Sequence, residues 1–251
     1  MVTHFPGKSY TNTEVLDVCF NDDKKIGDLL YDVTRKHFID DVLSNQCFFN
    51  HLGVEHRNLL APPGDNRDWW ERNVGKDPYA LEGALAYEKL MENKEPLTAN
   101  DRIIVISNVS DTTAPNIGYA VIGHLKARNS NFVTPTLISL DGEGCSGYIS
   151  GLHEAEIYLS HRPDARVVIL TVEMAGTTLH NPWLIESLLE KIKSCDAKTL
   201  EDNCKKLLGL GIQRYLFGDG CSASICVKNG KGIEFDSIHK WSNIHPDDRH
   251  L

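Results

Sequence analysis

From Arg102 onward the chain alternates short apolar runs with longer runs of helical period, a pattern that only a sheet with helices packed against it satisfies. The runs "RIIVISNV" (Arg102 to Val109), "TPTLISLD" (Thr134 to Asp141), "ARVVILTVEM" (Ala165 to Met174) and "CSASICVKNG" (Cys221 to Gly230) have strand length. Most are rich in β-branched residues and bounded by Pro, Gly or Asn. Continuous apolar runs of this kind belong to strands buried on both faces. Between them, "PNIGYAVIGHLKA" (Pro115 to Ala127) opens on proline and repeats apolar residues at three and four spacing, which predicts a helix crossing back over the sheet. The same period over "DPYALEGALAYEKLMENK" (Asp77 to Lys94) offers Leu81, Ala84, Leu85 and Met91 for one face. The class is α/β.

The remaining segments are less regular. "KIGDLLYDVTRKHFIDDVL" (Lys25 to Leu43) reads as one helix. "LLAPPGDNRDWWERNVGKDP" (Leu59 to Pro78) carries Pro-Pro and Gly-Asp without a period and reads as a loop. Asn181 to Gly211 reads as two polar-faced helices forming an excursion from the core. The chain contains no internal repeat and no low-complexity tract.

Composition narrows the function classes. With 251 residues, 41% apolar and 24% charged, the chain is globular, in one large or two small domains. A net charge of -9 disfavours nucleic acid or an anionic membrane surface as main partner, since both are densely negative. No apolar run approaches the ~20 residues of a spanning helix, and "MVTHFPGKSY" lacks the features of a signal peptide, so a cytoplasmic location is expected. Seven cysteines at irregular spacing, without CxxC or Cys/His sets, predict mostly free thiols and no metal site.

One cysteine stands out by position. In "LISLDGEGCSGYISGLHEAEIYLSH" the strand should end near Asp141, "GEG" makes a tight turn, and a helix begins at or near Cys145. Unsatisfied N–H groups and the positive end of a helix dipole favour a thiolate there, and thiolates are nucleophiles. Gly144, Ser146, Gly147, Ser150 and Gly151 would let other backbones approach closely. Tyr148, Leu152, Ala155 and Leu159 continue an apolar stripe. The same position suits a buried small hydrophobe equally well, because free cysteines are among the most buried residue types.

Ordered motifs weigh on that choice. "LDGEGCSGYISGLHEAEIYLSHRPDARVVILTVEMAG" and the later "YLFGDGCSASIC" resemble the first half of a condensing enzyme of the thiolase fold, in the branch of chalcone synthases (type III polyketide synthases), plant-type ketoacyl-CoA synthases and ketoacyl synthase III enzymes. "GVEHR" (Gly53 to Arg57) is similar to the family's "GI-x-x-R" segment, and "VSDTTAPN" (Val109 to Asn116) to the segment after the first core strand. "GCSG" is similar to its nucleophile turn and "FGDG" (Phe217 to Gly220) to its hallmark loop. The match runs from about Gly53 to Val227.

The resemblance implies a layered α-β-α thiolase-like domain over residues 1–230, the first of two duplicated halves, with 231–251 starting a connection to the second. It implies that Cys145 takes an acyl group from coenzyme A or an acyl carrier protein as a thioester, which a malonyl-derived carbanion then attacks. The product is a β-ketoacyl or polyketide chain, as in fatty acid and polyketide biosynthesis. No resident cofactor is implied; coenzyme A thioesters are substrates. Thr112 and Thr113, with Asp111, would lie beyond a strand's C-terminal edge, where the family has a segment lining the acyl cavity or the dimer contact and where a plain turn is the commoner outcome. Arg57 could meet cofactor phosphates, although a surface ion pair is the commoner fate of an arginine. Gly218, Asp219 and Gly220 would shape a loop near the site, with Asp219 in a structural role. His153 and His161 lie along or beyond the helix after Cys145 and read as solvated or structural.

The chain also departs from the family. The histidine and asparagine that complete the family's oxyanion hole belong to the second half, and nothing here matches them. His239, His245 and His250 lie in a tail with the look of a surface connection. The simplest expectation is the N-terminal portion of a longer synthase or one chain of a split enzyme; the resemblance implies a homodimer, or a heteromer with a chain supplying the second half. Two other readings compete: a non-catalytic partner subunit, and a cysteine hydrolase. The hydrolase ranks last because Glu143 occupies the first glycine position of a G-x-nucleophile-x-G elbow.

Overall fold

The computed structural model describes residues 1–11, 14–15, 54–64, 66–110, 116–194, 209–210, 213–214, 216–235 and 238. In chain order the elements are β1 (Val2–His4), β2 (Lys8–Thr11), β3 (His56–Leu59), α1 (Arg67–Asn73), α2 (Pro78–Met91), β4 (Arg102–Ser107) and α3 (Ile117–Arg128). There follow β5 (Thr136–Asp141), a 3-10 turn (Gly144–Ser146), α4 (Gly147–His161), β6 (Arg166–Met174), α5 (Ala175–Leu179), α6 (Pro182–Ser194) and β7 (Asp219–Val227). Chain contacts divide these into two compact units. The first is Met1–His4, Tyr79–Val172 and Cys221–Leu251; the second is Phe5–Pro78 and Glu173–Gly220.

The first unit carries the five-stranded sheet, in the order β1-β7-β6-β4-β5. β4 pairs in parallel with both β5 and β6. Its centre follows from the sequence: Ile103, Ile104 and Val105 on β4 and Val167 to Leu170 on β6 are fully buried, as strands covered on both faces must be. β5 is the edge strand and is only half buried, so the expectation of burial on both faces fails there. β1 lies at the other edge, antiparallel to β7, and no sequence signal announced it. Three residues are too few to establish an alternation.

Helix α4 seals one face of the sheet. Leu152, Ala155, Tyr158 and Leu159 form a cluster with Ile104, Ile106, Val167 and Ile169, against which Tyr148 packs half-buried. Each fully buried aliphatic side chain contributes roughly 1.5–3 kcal/mol. Gly147 and Gly151 admit side chains here rather than another backbone: a Cβ on Gly147 would stand 2.6 Å from Ile106 Cγ2, and one on Gly151 2.7 Å from Ile106 Cδ1. On α2 the buried stripe is Tyr79, Ala80, Gly83, Ala84, Ala86, Tyr87 and Leu90, with Leu81, Leu85 and Met91 only partly covered. Small residues win the inner face because α2 presses on strand side chains, with Val172 Cγ2 2.7 Å from where a Cβ on Gly83 would lie.

Polar links close the sheet's lower end. The carboxylate of Asp101 accepts bonds from Thr98 N (2.6 Å), Arg166 N (2.7 Å) and an Arg166 guanidinium nitrogen (2.9 Å). Burial pushes its pKa up, but the bonds from Arg166 and Thr98 outweigh this and hold it below the usual carboxylate value. The Arg102 guanidinium stacks 3.8 Å over the Tyr158 ring.

In the second unit β2 and β3 form a two-stranded antiparallel ladder, Lys8 opposite Leu59 and Thr11 opposite His56. The stretch expected to be a loop from Leu59 to Pro78 contains α1. Asn66 starts it, accepting at its carbonyl from Trp69 N and Trp70 N, and Arg67 pairs bidentately with Glu186 on α6. The turn-forming "PPGDN" therefore ends before the helix rather than running through it. The first of the two helices expected between Asn181 and Gly211 is α6. The second, and the helix expected over Lys25 to Leu43, lie outside the described residues.

Candidate functional site

Parallel pairing of β4 and β5 sets the geometry around Cys145. The register places Ser107 opposite Asp141, and Gly142 N donates to Ser107 O at 3.1 Å, so the two strands end together. After Asp141 the chain turns on Gly142 (φ +73°) and Gly144 (φ +59°), left-handed conformations that favour glycine, and enters the 3-10 turn that contains Cys145. Helix α4 follows directly at Gly147. Cys145 is exposed. The alternative of a buried small hydrophobe therefore does not describe it. Cys221 is the buried thiol of the first unit.

Several bonds fix this turn. Gly144 N donates to Asn108 Oδ1 at 2.6 Å, and Asn108 Nδ2 donates to Gly144 O at 3.2 Å. Ser146, the residue before α4, makes no side-chain cap and instead donates to Glu143 O at 2.7 Å. The Glu143 carboxylate accepts from Ser150 Oγ at 2.8 Å, one turn into α4. Gly147 N donates to Gly144 O, so α4 runs on directly from the 3-10 turn that carries the cysteine. Chemically, an exposed thiol next to such a turn suits attack on an electrophilic carbonyl.

A recess of about 190 Å³ opens at the same strand ends, lined by Ser107 to Ser110, Asn116 and Ile117 at the start of α3, and Asp141 and Gly142. It is smaller than the roughly 300–1,000 Å³ of typical ligand pockets, and Cys145 is not in its lining. Thr112 and Thr113 lie outside the described residues.

The other expected site residues belong to the second unit. Arg57 faces inward from β3 with 3% of its surface exposed, so it is not the surface ion pair that sequence alone favours. Gly218 lies against the same strand: a Cβ there would stand 3.1 Å from Asn58 O and 3.2 Å from Arg57 Cβ. A Cβ on Gly220 would stand 3.7 Å from the Phe5 ring. Asp219 is buried and acts as an acceptor hub. One oxygen takes Thr177 N at 2.9 Å; the other takes Leu60 N at 2.7 Å and the Thr177 hydroxyl. Thr177 Oγ1 in turn accepts from Leu60 N and Ala61 N. Burial pushes the Asp219 carboxyl up despite these bonds. Arg57, Gly218 and Asp219 thus gather around the exit of β3.

Sequence reasoning missed Asn108, Thr177 and the buried pair His180–Arg214. The His180 ring is fully buried and accepts at Nδ1 from Arg214 (3.1 and 3.3 Å). Burial first, and then the Arg214 charge, push its pKa down to about 3. An asparagine directly after a buried parallel strand was the legible signal for Asn108; His180 and Thr177 offered none. His153 and His161 are not fully buried, and His161 bonds within its own helix turn. Among the described residues no cluster of three or more His, Cys, Asp or Glu could hold a metal, and no helix is long and apolar enough to cross a membrane.

Solved structures share this fold. An OleA variant of Xanthomonas campestris superposes with a TM-score of 0.53 at 18% identity, covering 89% of this chain and 55% of that one. A 3-oxoacyl-(acyl-carrier-protein) synthase III gives 0.50 at 18% identity, covering 93% and 50%. The fold is that of thiolase-like condensing enzymes. The 1,3,6,8-tetrahydroxynaphthalene synthase of Streptomyces coelicolor A3(2), a bacterial type III polyketide synthase, gives 0.50 at 17% identity, covering 91% and 56%. This thiolase-like chain therefore spans about half the length of the solved structures it matches. No protein-family profile and no curated protein sequence matches it.

Proposed function

We propose that this chain is the cysteine-bearing part of a condensing acyltransferase, with Cys145 as the acyl acceptor. The observation that carries the reading is the exposed thiol on a braced turn between β5 and α4, within a thiolase-like fold whose solved examples include condensing enzymes. In the loading step the Cys145 thiolate attacks the carbonyl carbon of an acyl thioester, the new carbon–sulfur bond forms, and the carrier's thiolate leaves and takes up a proton. In the condensing step a malonyl-derived carbanion, formed with loss of carbon dioxide, attacks that thioester, and Cys145 leaves as thiolate. Stabilising the oxyanions of both steps requires donors. By the resemblance these include a histidine and an asparagine of a second half. Coenzyme A and acyl carrier protein both suit the carrier role.

Incubating the protein with a short or long acyl-CoA should add the acyl mass to the peptide containing Cys145. Cys145→Ala should gain none; labelling that survives this substitution overturns the reading. The second reading is a partner subunit that completes another chain, motivated by the lack of any match here to the family's second-half histidine and asparagine. Full activity of a complex carrying Cys145→Ala, lost when the chain is removed, would establish that reading instead. Homodimerisation belongs to the same proposal, and sedimentation of the purified chain measures it.

A further inference from the structure

We propose that Asn108 is the positioning residue for Cys145: its side-chain amide clasps the backbone of Gly144 and so fixes the turn that presents the thiol. The pairing is reciprocal, Gly144 N to Asn108 Oδ1 at 2.6 Å and Asn108 Nδ2 to Gly144 O at 3.2 Å. A carboxamide carries an acceptor and a donor side by side, as a peptide group does, and can stand in for one rung of a strand ladder. That is its place here. The parallel ladder ends where Ser107 pairs with Asp141 and Gly142 N reaches Ser107 O, and the next residue of β4's path continues it with a side chain.

The need for such a clasp lies in Gly144. It adopts φ +59°, and no atom lies within 4 Å of where a Cβ would be, so glycine is required by backbone conformation rather than by space. Glycine is also the residue with the most alternative conformations, so an external bond must select this one. On the other flank Ser146 and Ser150 tie Glu143 to α4. Cys145 thus follows a residue tethered to the end of β4 and precedes the tethered start of α4, the kind of second support that holds a reactive group to within a fraction of an ångström. Aspartate at 108 would keep the acceptor and lose the donor; serine would be too short for either bond.

This inference rests on Cys145 as the acyl acceptor, but its test does not depend on acylation. In the full chain, Asn108→Leu removes both bonds at similar volume, and Asn108→Asp keeps the acceptor. The first readout is the rate at which iodoacetamide alkylates the Cys145 peptide, followed by mass spectrometry with the buried Cys221 peptide as internal reference. The second is the kcat and KM of acyl loading from an acyl-CoA. Asn108→Leu should slow alkylation roughly tenfold and lower the loading kcat by at least as much with KM retained, with Asn108→Asp in between. Alkylation by Asn108→Leu within about twofold of the wild-type rate overturns the proposal, as does a loss confined to KM. If the Leu variant does not fold, Asn108→Ser takes its place with the same expectation. If the wild-type thiol is alkylated but never acylated, the acyl-acceptor reading falls while the alkylation comparison still decides the role of Asn108.

Discussion

In the first unit the core is aliphatic apart from Tyr79, Tyr87 and Tyr158, and the other polar side chains buried among its described residues are Asp101 before β4, Ser107 at its end, Ser150 on α4 and Ser224 on β7. The second unit buries Arg57, Thr177, His180, Arg214 and Asp219, and holds its turns together through them. The contrast follows from regular structure. A five-stranded sheet satisfies its own backbone, so side chains are left to pack. The two-stranded β2–β3 ladder and short α5 leave many backbone groups unpaired, and buried side chains must satisfy them.

The sharpest way to break this comparison is Asp219→Ala. It would strip acceptors from Leu60 N, Thr177 N and the Thr177 hydroxyl, all buried or nearly so. Leu60 N keeps its bond to Thr177 Oγ1, so two orphaned donors on Thr177 remain and should cost about 3 kcal/mol in equilibrium urea unfolding. Asp219→Asn, which keeps acceptor capacity on one oxygen, should cost less than half as much. A loss under about 1 kcal/mol would mean that water or the chain repairs the hub, and that the two units do not differ as described.

The matching test of the first unit is steric. Gly147→Ala brings a Cβ to 2.6 Å from the Cγ2 methyl of Ile106, which moves only by turning the whole buried side chain about χ1, the Cγ1 branch with it. The expected cost is about 2 kcal/mol. Gly151→Ala meets the terminal Cδ1 of the same residue at 2.7 Å, which has a free torsion, and alanine gains about 1 kcal/mol in helix propensity. It should be close to neutral. Equal costs at the two positions would show that α4 shifts as a body instead of packing as a fixed layer.

The same division explains what could be read from the sequence. The four main strands, α2, α3, α4 and the turn before Cys145 follow from apolar period and glycine placement, because in the first unit hydrophobic pattern and structure coincide. β1 and β2 gave no signal, since strands of three and four residues are made by their partners. Helix α1 hid behind "PPGDN", and its two adjacent tryptophans carry no period. Arg57, Thr177 and His180 were illegible as core residues because burying a polar group depends on distant partners: Thr177 answers to Leu60 and Asp219, and His180 to Arg214. The cysteine's exposure and its clasp by Asn108 likewise come from residues far apart in the chain.

A weaker test separates the units by pH. His180 has a folded pKa of about 3 against an ordinary 6.5, so the unfolded chain takes up its proton first as pH falls. Stability from this group is complete above pH 6.5 and should be lost at about 1.4 kcal/mol per pH unit just below it. Asp219 acts with the opposite sign: its raised pKa favours the folded state when protonated, which returns stability further into the acid range. Asp101 in the first unit has a lowered pKa, so its contribution holds above the ordinary carboxylate value and falls only as pH drops through the folded one. Urea unfolding from pH 7 to about pH 5.5 should therefore show the loss in wild type and not in His180→Gln. A flat wild-type profile would place the imidazole in contact with solvent.

The smallest expected effect is where the comparison should vanish. Among the described residues each unit has one bidentate surface ion pair between helices: Arg67 with Glu186 joins α1 to α6, and Arg128 with Glu88 joins α3 to α2. Their side chains are similarly exposed, 38% and 47% in one pair and 44% and 37% in the other. In such settings the Coulomb gain is offset by the entropy of holding two long side chains still, and salt screens what remains. Arg67→Ala and Arg128→Ala should each leave the urea midpoint within experimental scatter, in low and high salt alike. A clear loss for Arg67→Ala alone would extend the second unit's reliance on charged groups to its surface. A loss for neither confines the difference between the units to what each one buries.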